Sequence, residues 1–367
     1  MALKIVRTSS LNLEQFQNKM PDIDMLLRFC TENECSDLYI KVGQEPYITR
    51  WGLLYTVPTH PVTAKIWNAW AKEAITSENN AAYVRKKMLD LSYVISEPGV
   101  DAEGLSTVNE LRYRVSVGFS MGKNIATFRM ITKELPSFSK INFPSDIERI
   151  LKQVIAKRQG ITLFVGVTGS GKTTTLAACM RDFSLPGGVM NNTTIISLED
   201  PVEYVFPSSE NVNILQKELR VDFKNFADGV KQSLREHPNF VNVGETRDRE
   251  TVETLVEASR TGHGVISSFH ASDCGDTISR MYNMLVGQNE GIMHDVIANL
   301  SLILCQRLIP SDTGFRLNTQ YMVFTDELKM HLNHQIAAGE NIPVVINELF
   351  GREPLLKAKV LKDWDPE

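Results

Sequence analysis

Hydrophobic and polar positions alternate in two ways along the chain, and the change falls near residue 134. From Asp22 to about Lys133, helical spacing in MPDIDMLLRFCTEN precedes strand-like alternation in SDLYIKV, YITRWGLLYTV, RYRVSVGFS and NIATFRMI. A helical pattern from Ala64 to Leu89 lies between the strand candidates. Residues 1–133 are therefore predicted to form an α+β domain, in which no catalytic motif is visible.

A break in the pattern follows at Pro136 and Pro144, within the polar stretch ELPSFSKINFPSD. Proline interrupts both helix and sheet hydrogen bonding. Residues 134–146 are predicted to be a linker with a hinge.

Short apolar strand candidates alternate with helical stretches after the break, which is typical of a parallel sheet covered on both faces. This pattern predicts an α/β domain over residues 147–310. A further apolar helix is predicted in IMHDVIANLSLILCQRL, where Val296, Leu300, Ile303 and Leu304 follow helical spacing. The strand candidate FRLNTQYMVF and a polar helical tail complete a C-terminal region over residues 311–367. The strand candidates of the α/β domain are Ile161–Val165, Thr194–Leu198, Phe240–Val243 and Val265–Phe269.

The segment GVTGSGKT follows the first of these strands and leads into a helical stretch, Thr173 to Met180. It matches the phosphate-binding pattern G-x-x-x-x-G-K-[ST] in the strand-loop-helix context that the pattern requires. Its glycines let backbone N–H groups turn toward phosphates at a helix N-terminus, Lys172 adds a cation, and the Thr173 hydroxyl suits Mg²⁺. The sequence thus predicts a site for a nucleoside triphosphate, formed by Gly166, Thr168, Gly169, Ser170, Gly171, Lys172, Thr173 and Thr174.

Carboxylates follow two other strand candidates. SLEDPVEY contains Glu199, Asp200 and Glu203, and FVNVGETRD ends in Glu245. Carboxylates at such positions can hold Mg²⁺ and orient a water for attack on a γ-phosphate. A solvated acidic turn is the alternative for SLEDPVEY, and Asn242 interrupts what should be a buried strand.

The segment TGHGVISSFHAS places His263 and His270 on either side of a strand candidate. Taken alone, they are more often packed or surface histidines than functional ones. Neither is spaced from a cysteine as a zinc ligand would be. The five cysteines include no C-x-x-C pair, so we expect buried thiols and no disulfide framework.

Composition narrows the function classes. The 367 residues are 43% hydrophobic and 23% charged, with a net charge of −5. The acidic balance does not favour nucleic acid as the direct partner. Residues 1–20 lack the apolar centre of a signal peptide, and no apolar run is long enough to span a bilayer. We therefore expect a cytoplasmic protein that associates with the inner membrane peripherally, through partners.

The four motifs in order, GVTGSGKT, SLEDPVEY, LREHPNFVNVGETRD and TGHGVISSFHAS, resemble the Walker A, Asp-box, Walker B and His-box series of the PilT-like secretion ATPase superfamily. The stretches SDLYIKVGQEPYI and RYRVSVGFSMGKNIATFRMI resemble the PAS-like N-terminal domain of that family. LLRFCTEN and NFADGVKQSLR resemble the DotB and TraJ branch, which serves type IVB secretion and conjugation. The resemblance covers about residues 22–310.

This resemblance implies a RecA-like P-loop ATPase domain with a parallel sheet, preceded by the PAS-like domain. It implies ATP and Mg²⁺ as cofactors, with Glu203 as the water-orienting base and Glu245 as a metal carboxylate, or with these roles exchanged. Thr173, Glu199, Asp200 and Glu245 are the implied metal residues, and the histidines couple nucleotide state to neighbouring elements. The arginines implied to reach a neighbouring subunit's γ-phosphate are Arg112, Arg114 and Arg129.

The implied function is Mg²⁺-dependent ATP hydrolysis by a ring, expected to be a hexamer, that works with inner-membrane components of a secretion, conjugation or pilus machine. Two alternatives stay open on the residues. One is a RecA-like nucleic-acid translocase, whose turnover DNA would stimulate. The other is a nucleotide-gated assembly scaffold that binds ATP and scarcely hydrolyses it.

Overall fold

The computed structural model describes residues 11–51, 53–75, 88–100, 106–131, 134–207, 210–285, 291–311, 314–340 and 344–345. The chain divides into two compact units, Met1–Lys133 and Glu134–Glu367. None of the helices within these ranges is both long enough and apolar enough to cross a membrane.

Within the described residues, the first unit is an antiparallel sheet of six strands in the order β3-β2-β1-β6-β5-β4, with two helices packed on one face. Its helices are α1 (Ile23–Glu32) and α2 (Ala64–Ala74), and its strands are β1 (Asp37–Lys41), β2 (Tyr47–Arg50), β3 (Leu53–Thr56), β4 (Leu89–Val100), β5 (Ser106–Ser120) and β6 (Lys123–Met130).

Local sequence explains where these two helices begin. The Asp22 side chain accepts a hydrogen bond from the Met25 N–H at 2.7 Å, and Thr63 caps α2 in the same way. The predicted helix from Ala64 to Leu89 is wrong at its end, because α2 stops at Ala74 and Leu89 begins β4. Residues 76–87 lie outside the described residues.

The second unit is a seven-stranded sheet in the order β13-β12-β7-β11-β10-β8-β9, in which all neighbours are parallel except β12 and β13. Hydrophobic clusters cover both faces of this sheet. Its strands are β7 (Gly160–Val165), β8 (Thr193–Glu199), β9 (Val212–Glu218), β10 (Phe240–Thr246), β11 (Gly264–Phe269), β12 (Leu300–Ser311) and β13 (Gly314–Val323). The helices are α3 (Ser145–Ile155), α4 (Lys172–Ser184), α5 (Phe226–Ser233), α6 (Arg249–Arg260), α7 (Cys274–Leu285), α8 (Gly291–Asn299) and α9 (Asp326–Ala337).

The long apolar helix predicted from IMHDVIANLSLILCQRL is wrong over its second half. Helix α8 ends at Asn299, and Leu300, Ile303 and Leu304 belong to β12. This strand lies between β7 and β13, and its apolar residues up to Cys305 are fully buried. A strand buried on both faces is apolar at nearly every position, so it also satisfies helical spacing. Strand β13 then pairs with β12 and extends the same sheet.

The segment predicted as a linker is anchored on the second unit. The rings of Phe138 and Phe143 are buried and stacked, with centroids 4.7 Å apart. Phe138 also packs edge-on against Phe183 of α4, and its N–H donates to the Asp182 side chain at 2.7 Å. Because both rings are buried and packed, Phe138 and Phe143 form part of the core of this unit.

Candidate nucleotide-binding site

The P-loop lies where strand β7 ends and helix α4 begins. Strand β7 ends at Val165, which is in register with Phe269 of β11, and α4 begins at Lys172. The carboxyl ends of β8, β10 and β11 lie along the same edge of the sheet, because these strands are parallel to β7. Open α/β sheets place their ligands at this edge. The three other motifs therefore converge on the P-loop, apart from His263.

Two glycines of the P-loop are required by the backbone and its neighbours. Gly171 has a φ of +85°, a conformation that side chains with a Cβ atom rarely adopt. A Cβ atom at Gly166 would lie 2.4 Å from the Gln306 carbonyl oxygen on β12. The loop therefore sits directly against β12, with Val167, Thr168 and Gly169 exposed at its crest.

Lys172 is buried and its side chain is turned onto its own loop. Its Nζ donates to the carbonyl oxygens of Gly166 at 2.8 Å and Val167 at 3.1 Å. Burial lowers the pKa of Lys172, and the negative charge of Glu245 acts in the opposite direction. The amine therefore lies within the loop whose sequence motif predicts phosphate binding.

Glu245 lies near the end of β10 and has two cationic or ionisable partners. Its carboxylate pairs with the Arg247 guanidinium, and His270 Nε2 lies 3.1 Å from its Oε1 atom. Burial favours a higher pKa for Glu245, but Arg247, His270 and Lys172 together lower it. Glu245 is therefore a carboxylate at neutral pH. No motif in the sequence singles out Arg247, although it stands two residues after Glu245.

The two histidines are at opposite ends of β11. His270 follows the strand and reaches Glu245, and burial and Lys172 lower its pKa. His263 precedes the strand, with Nδ1 lying 3.1 Å from both the Ala258 carbonyl oxygen and the Thr261 hydroxyl. The six residues of β11 lie between the histidines, so their Cα atoms are about 23 Å apart. The prediction that His263 belongs to the nucleotide site is therefore wrong, because the structure places it at the other end of β11.

Glu199 has its carboxylate occupied within the protein. Its Oε1 accepts hydrogen bonds from the Ser197 hydroxyl at 2.7 Å and from Gln216 Nε2 at 2.9 Å. Asn242 Nδ2 donates to the same Ser197 hydroxyl at 2.8 Å. Asn242 thus begins a polar row across β10, β8 and β9, which explains an amide in a buried strand. Burial raises the pKa of Glu199, and its hydrogen bonds offset only part of this effect.

The rest of the acidic segment is tied to neighbouring elements. Asp200 lies 3.4 Å from Arg220 Nη1, and the half-buried Glu203 donates its backbone N–H to the Glu199 carboxylate. Tyr204 has its hydroxyl 3.3 Å from Thr174 Oγ1, at the first turn of α4. The segment is thus fixed beside the P-loop. It is not a freely solvated acidic turn.

Among the described residues, no three His, Cys, Asp or Glu side chains form a group that could hold a metal ion by itself. Mg²⁺ bound to a nucleotide needs only one or two protein oxygens besides phosphate and water. The exposed Thr173 hydroxyl and the ionised Glu245 carboxylate fit that requirement. Glu199 fits it less well as a direct ligand, because its carboxylate already accepts several hydrogen bonds.

Residues 105–337 match the family model described as type II/IV secretion system protein. The match covers more than half of the chain and all four motifs. The chain belongs to this family. The predicted resemblance to PilT-like secretion ATPases is confirmed, and so is the assignment of the chain as an ATPase.

Two relatives from Pseudomonas aeruginosa show how far this family likeness extends. The type IV pilus ATPase PilU is 27% identical over 296 residues, which cover 80% of this chain and 72% of PilU. The type IV pilus retraction ATPase PilT is 28% identical over 301 residues, which cover 81% of this chain and 80% of PilT.

Solved structures of family members have the same fold. The Legionella pneumophila ATPase DotB matches with a TM-score of 0.77 at 25% identity, over 93% of this chain and 92% of DotB. The pilus retraction motor PilT with bound ADP matches with a TM-score of 0.72 at 26% identity, over 90% of each chain. The predicted fold, a RecA-like P-loop ATPase domain preceded by a PAS-like α+β domain, is confirmed.

The three arginines that the family resemblance singles out lie in the first unit. Arg114 of β5 and Arg129 of β6 are exposed and directly paired across the two strands. Arg112 lies two residues before Arg114 and hence on the same face of the sheet. Arg129 forms an ion pair with Asp37 at 2.9 Å, and Arg112 with Glu110 at 3.3 Å. The structure thus groups them on one face of the first unit.

Proposed function

We propose that this chain is a Mg²⁺-dependent ATP hydrolase that forms a ring, expected to be a hexamer, and powers type IVB secretion, conjugative transfer or type IV pilus dynamics. The observation that carries the proposal is the grouping of Lys172, Glu245 and His270 at one edge of the second unit's sheet. A phosphate-binding cation and a residue that can orient water are two of the groups that recur in enzymes that hydrolyse a terminal phosphate.

Lys172 would exchange two neutral acceptors for a charged one. In the structure its Nζ donates to two carbonyl oxygens of the P-loop. A phosphate oxygen carries negative charge, so a hydrogen bond from Lys172 to it is stronger than one to a neutral carbonyl. ATP would therefore draw the amine off its own loop, and the amine would then stabilise charge that develops in the transition state.

Two carboxylates are available to orient the attacking water. Glu245 is supported by its low pKa and its electrostatic coupling to Lys172, and Glu203 by its position beside the P-loop helix. His270 would hold Glu245 in place through the contact between its Nε2 atom and the carboxylate. Thr173 and Glu245 would hold Mg²⁺, either directly or through water, with Glu199 and Asp200 further away. Bound Mg²⁺ neutralises charge on the β- and γ-phosphates.

The ring proposal rests on the family and on the exposed arginines. Arg114 and Arg129 present positive charge on an open sheet face, where a neighbouring subunit's nucleotide could meet it. Added positive charge is a large source of rate enhancement in phosphoryl transfer. The cargo machine would lie at the inner membrane, with this chain on the cytoplasmic side and attached through partner proteins.

The decisive test is steady-state phosphate release by Lys172→Ala. We expect turnover to fall by about two orders of magnitude or more, because the variant lacks the cation at the transferred phosphate. Lys329→Ala is the matched control: Lys329 is also partly buried, with a lowered pKa, and donates to the Ala298 carbonyl oxygen at 2.7 Å. Near-normal turnover in Lys172→Ala would refute the site.

The same assay separates the two alternatives. A nucleic-acid translocase would turn over ATP many-fold faster when DNA is added, with a strong dependence on salt. A nucleotide-gated scaffold would bind ATP and release almost no phosphate. We expect phosphate release by the wild-type protein, without stimulation by DNA.

A further inference from the structure

Strand β12 carries a buried polar side chain where an apolar one would be expected. Leu302 and Leu304 alternate on the face of the sheet that α4 covers, and both are fully buried. Gln306 is the next residue on that face and is 1% exposed. Burying an amide costs free energy unless it is hydrogen-bonded, so its place in this row needs a reason.

Gln306 contacts both ends of the P-loop. Its Nε2 donates to the Ser170 carbonyl oxygen at 2.8 Å. Its backbone carbonyl oxygen would lie only 2.4 Å from a Cβ atom at Gly166. A Cβ atom at Gly171 would lie 3.3 Å from Gln306 Nε2. One residue of β12 thus supports the loop at its first glycine and at the peptide that precedes α4.

The hydrogen bond to Ser170 fixes the direction of the next N–H group. A trans peptide is planar, and its C=O and N–H bonds point in opposite directions. When the Ser170 carbonyl is held toward β12, the N–H of Gly171 points away from β12. Backbone N–H groups of a P-loop bind the phosphates, so the orientation of this peptide decides whether one of them is available.

We infer that Gln306 is a positioning residue of the nucleotide site, which orients the Ser170–Gly171 peptide so that the Gly171 N–H faces the nucleotide's phosphates. Its other amide atom supports this reading. Gln306 Oε1 is buried and has no hydrogen-bond partner among the described residues. Among the described residues, the amide is therefore hydrogen-bonded through its Nε2 atom alone, and that hydrogen bond goes to the P-loop.

This inference rests on the proposed function, because it assumes that the P-loop binds nucleotide. The test is the dissociation constant of ADP and of AMP for the full chain carrying Gln306→Met, measured by displacement of a fluorescent nucleotide. We expect ADP to bind about tenfold or more weakly, since a buried carbonyl loses its donor and the peptide is free to turn. AMP should be affected much less, because it lacks the β-phosphate that the P-loop cradles.

Two further variants make the result interpretable. Gln306→Glu keeps the shape of the side chain, but its carboxylate cannot donate, so it should show the same selective loss of ADP binding. Thr319→Val is the control: Thr319 faces Gln306 directly on β13, and its buried hydroxyl has no hydrogen-bond partner among the described residues. It should bind ADP as the wild type does.

Three outcomes would overturn the inference. The first is unchanged ADP binding in Gln306→Met and Gln306→Glu. The second is an equal loss of ADP and AMP binding accompanied by a lower unfolding temperature of the nucleotide-free protein, which a purely structural role would produce. The third is failure of the wild-type chain to bind ADP, which would refute the proposed function itself and is recognised before any variant is compared.

Discussion

Lys172 and Glu245 each favour the charged form of the other within a partly buried site. Burial lowers the pKa of Lys172, and the Glu245 carboxylate counters this shift. Burial alone would raise the pKa of Glu245, yet Arg247, His270 and Lys172 lower it. If either charge is removed, the charged form of the other residue becomes less stable. The two residues therefore act as a unit.

Substitution of Glu245 tests this unit at the scale of one residue. Glu245→Gln keeps the shape and removes the charge, and we expect turnover to fall by about two to four orders of magnitude. ADP should still bind, because the P-loop and Lys172 remain. The measurement is steady-state phosphate release beside ADP affinity.

Glu253→Gln is the matched control, because Glu253 also pairs with an arginine, Arg249, on the surface of α6. We expect it to leave turnover unchanged. Glu203→Gln, assayed in parallel, decides between the two carboxylates. Full turnover in Glu245→Gln together with a large loss in Glu203→Gln would assign the water-orienting role to Glu203.

At the scale of elements, the junction between β7 and α4 sets the nucleotide site. The junction needs a left-handed residue directly before Lys172, and Gly171 supplies it with a φ of +85°. Strand β12 limits the space beside this residue through Gln306 and Leu308. The P-loop is thus shaped from one side by its own glycines and from the other by a strand that is distant in sequence.

Gly171→Ala should separate these local requirements from general stability. The alanine would carry about 1–2 kcal/mol of backbone strain and would press on Gln306, so we expect a lower unfolding temperature and much weaker ADP binding. Gly262→Ala provides the comparison, because Gly262 has a φ of +95°, no neighbour within 4 Å of its Cβ position and a place at the far edge of the sheet.

Both alanine variants should lose similar stability in thermal unfolding, whereas ADP binding should weaken in Gly171→Ala alone. An equal loss of ADP affinity in the two variants would mean that strain anywhere in the unit affects the nucleotide site. The geometry of the P-loop would then not be the cause.

At the scale of the whole molecule, the proposed ring requires each subunit to supply two different surfaces. One is the edge of the sheet that holds Lys172, and the other is the face of the first unit that holds Arg114 and Arg129. A site completed by two subunits predicts complementation between variants that are each inactive. This prediction belongs to the assembly, because a single chain cannot show it.

The experiment mixes Lys172→Ala subunits with subunits that carry both Arg114→Ala and Arg129→Ala. Each variant alone should be nearly inactive, and the mixture should regain part of the wild-type phosphate release. Tyr39→Ala, an exposed position on the same sheet, serves as the surface control. Mass photometry of the wild type should show one ring species, expected to be a hexamer. A mixture that stays inactive while rings form would refute the shared site.

Much of the nucleotide site could be predicted from sequence, because local chemistry determines it. Glycines with an unusual backbone, the lysine that follows them and the strand before them occur within about fifteen consecutive residues. The strand candidates that precede Glu199, Glu245 and His270 were also correct, since apolar runs flanked by polar motifs predict parallel strands. The same local logic fails for β12, because a fully buried strand and a buried helix share one pattern.

Only the tertiary structure decided which distant residues complete the site. Gln306 and Gln216 follow no motif, yet one supports the P-loop and the other holds Glu199. His263 stands in the same motif as His270 and is nevertheless placed at the opposite edge, since a strand of six residues separates them. Sequence determines which residues have the right chemistry, but strand order and register determine which of them meet, because hydrogen bonds across a sheet join residues far apart in the chain.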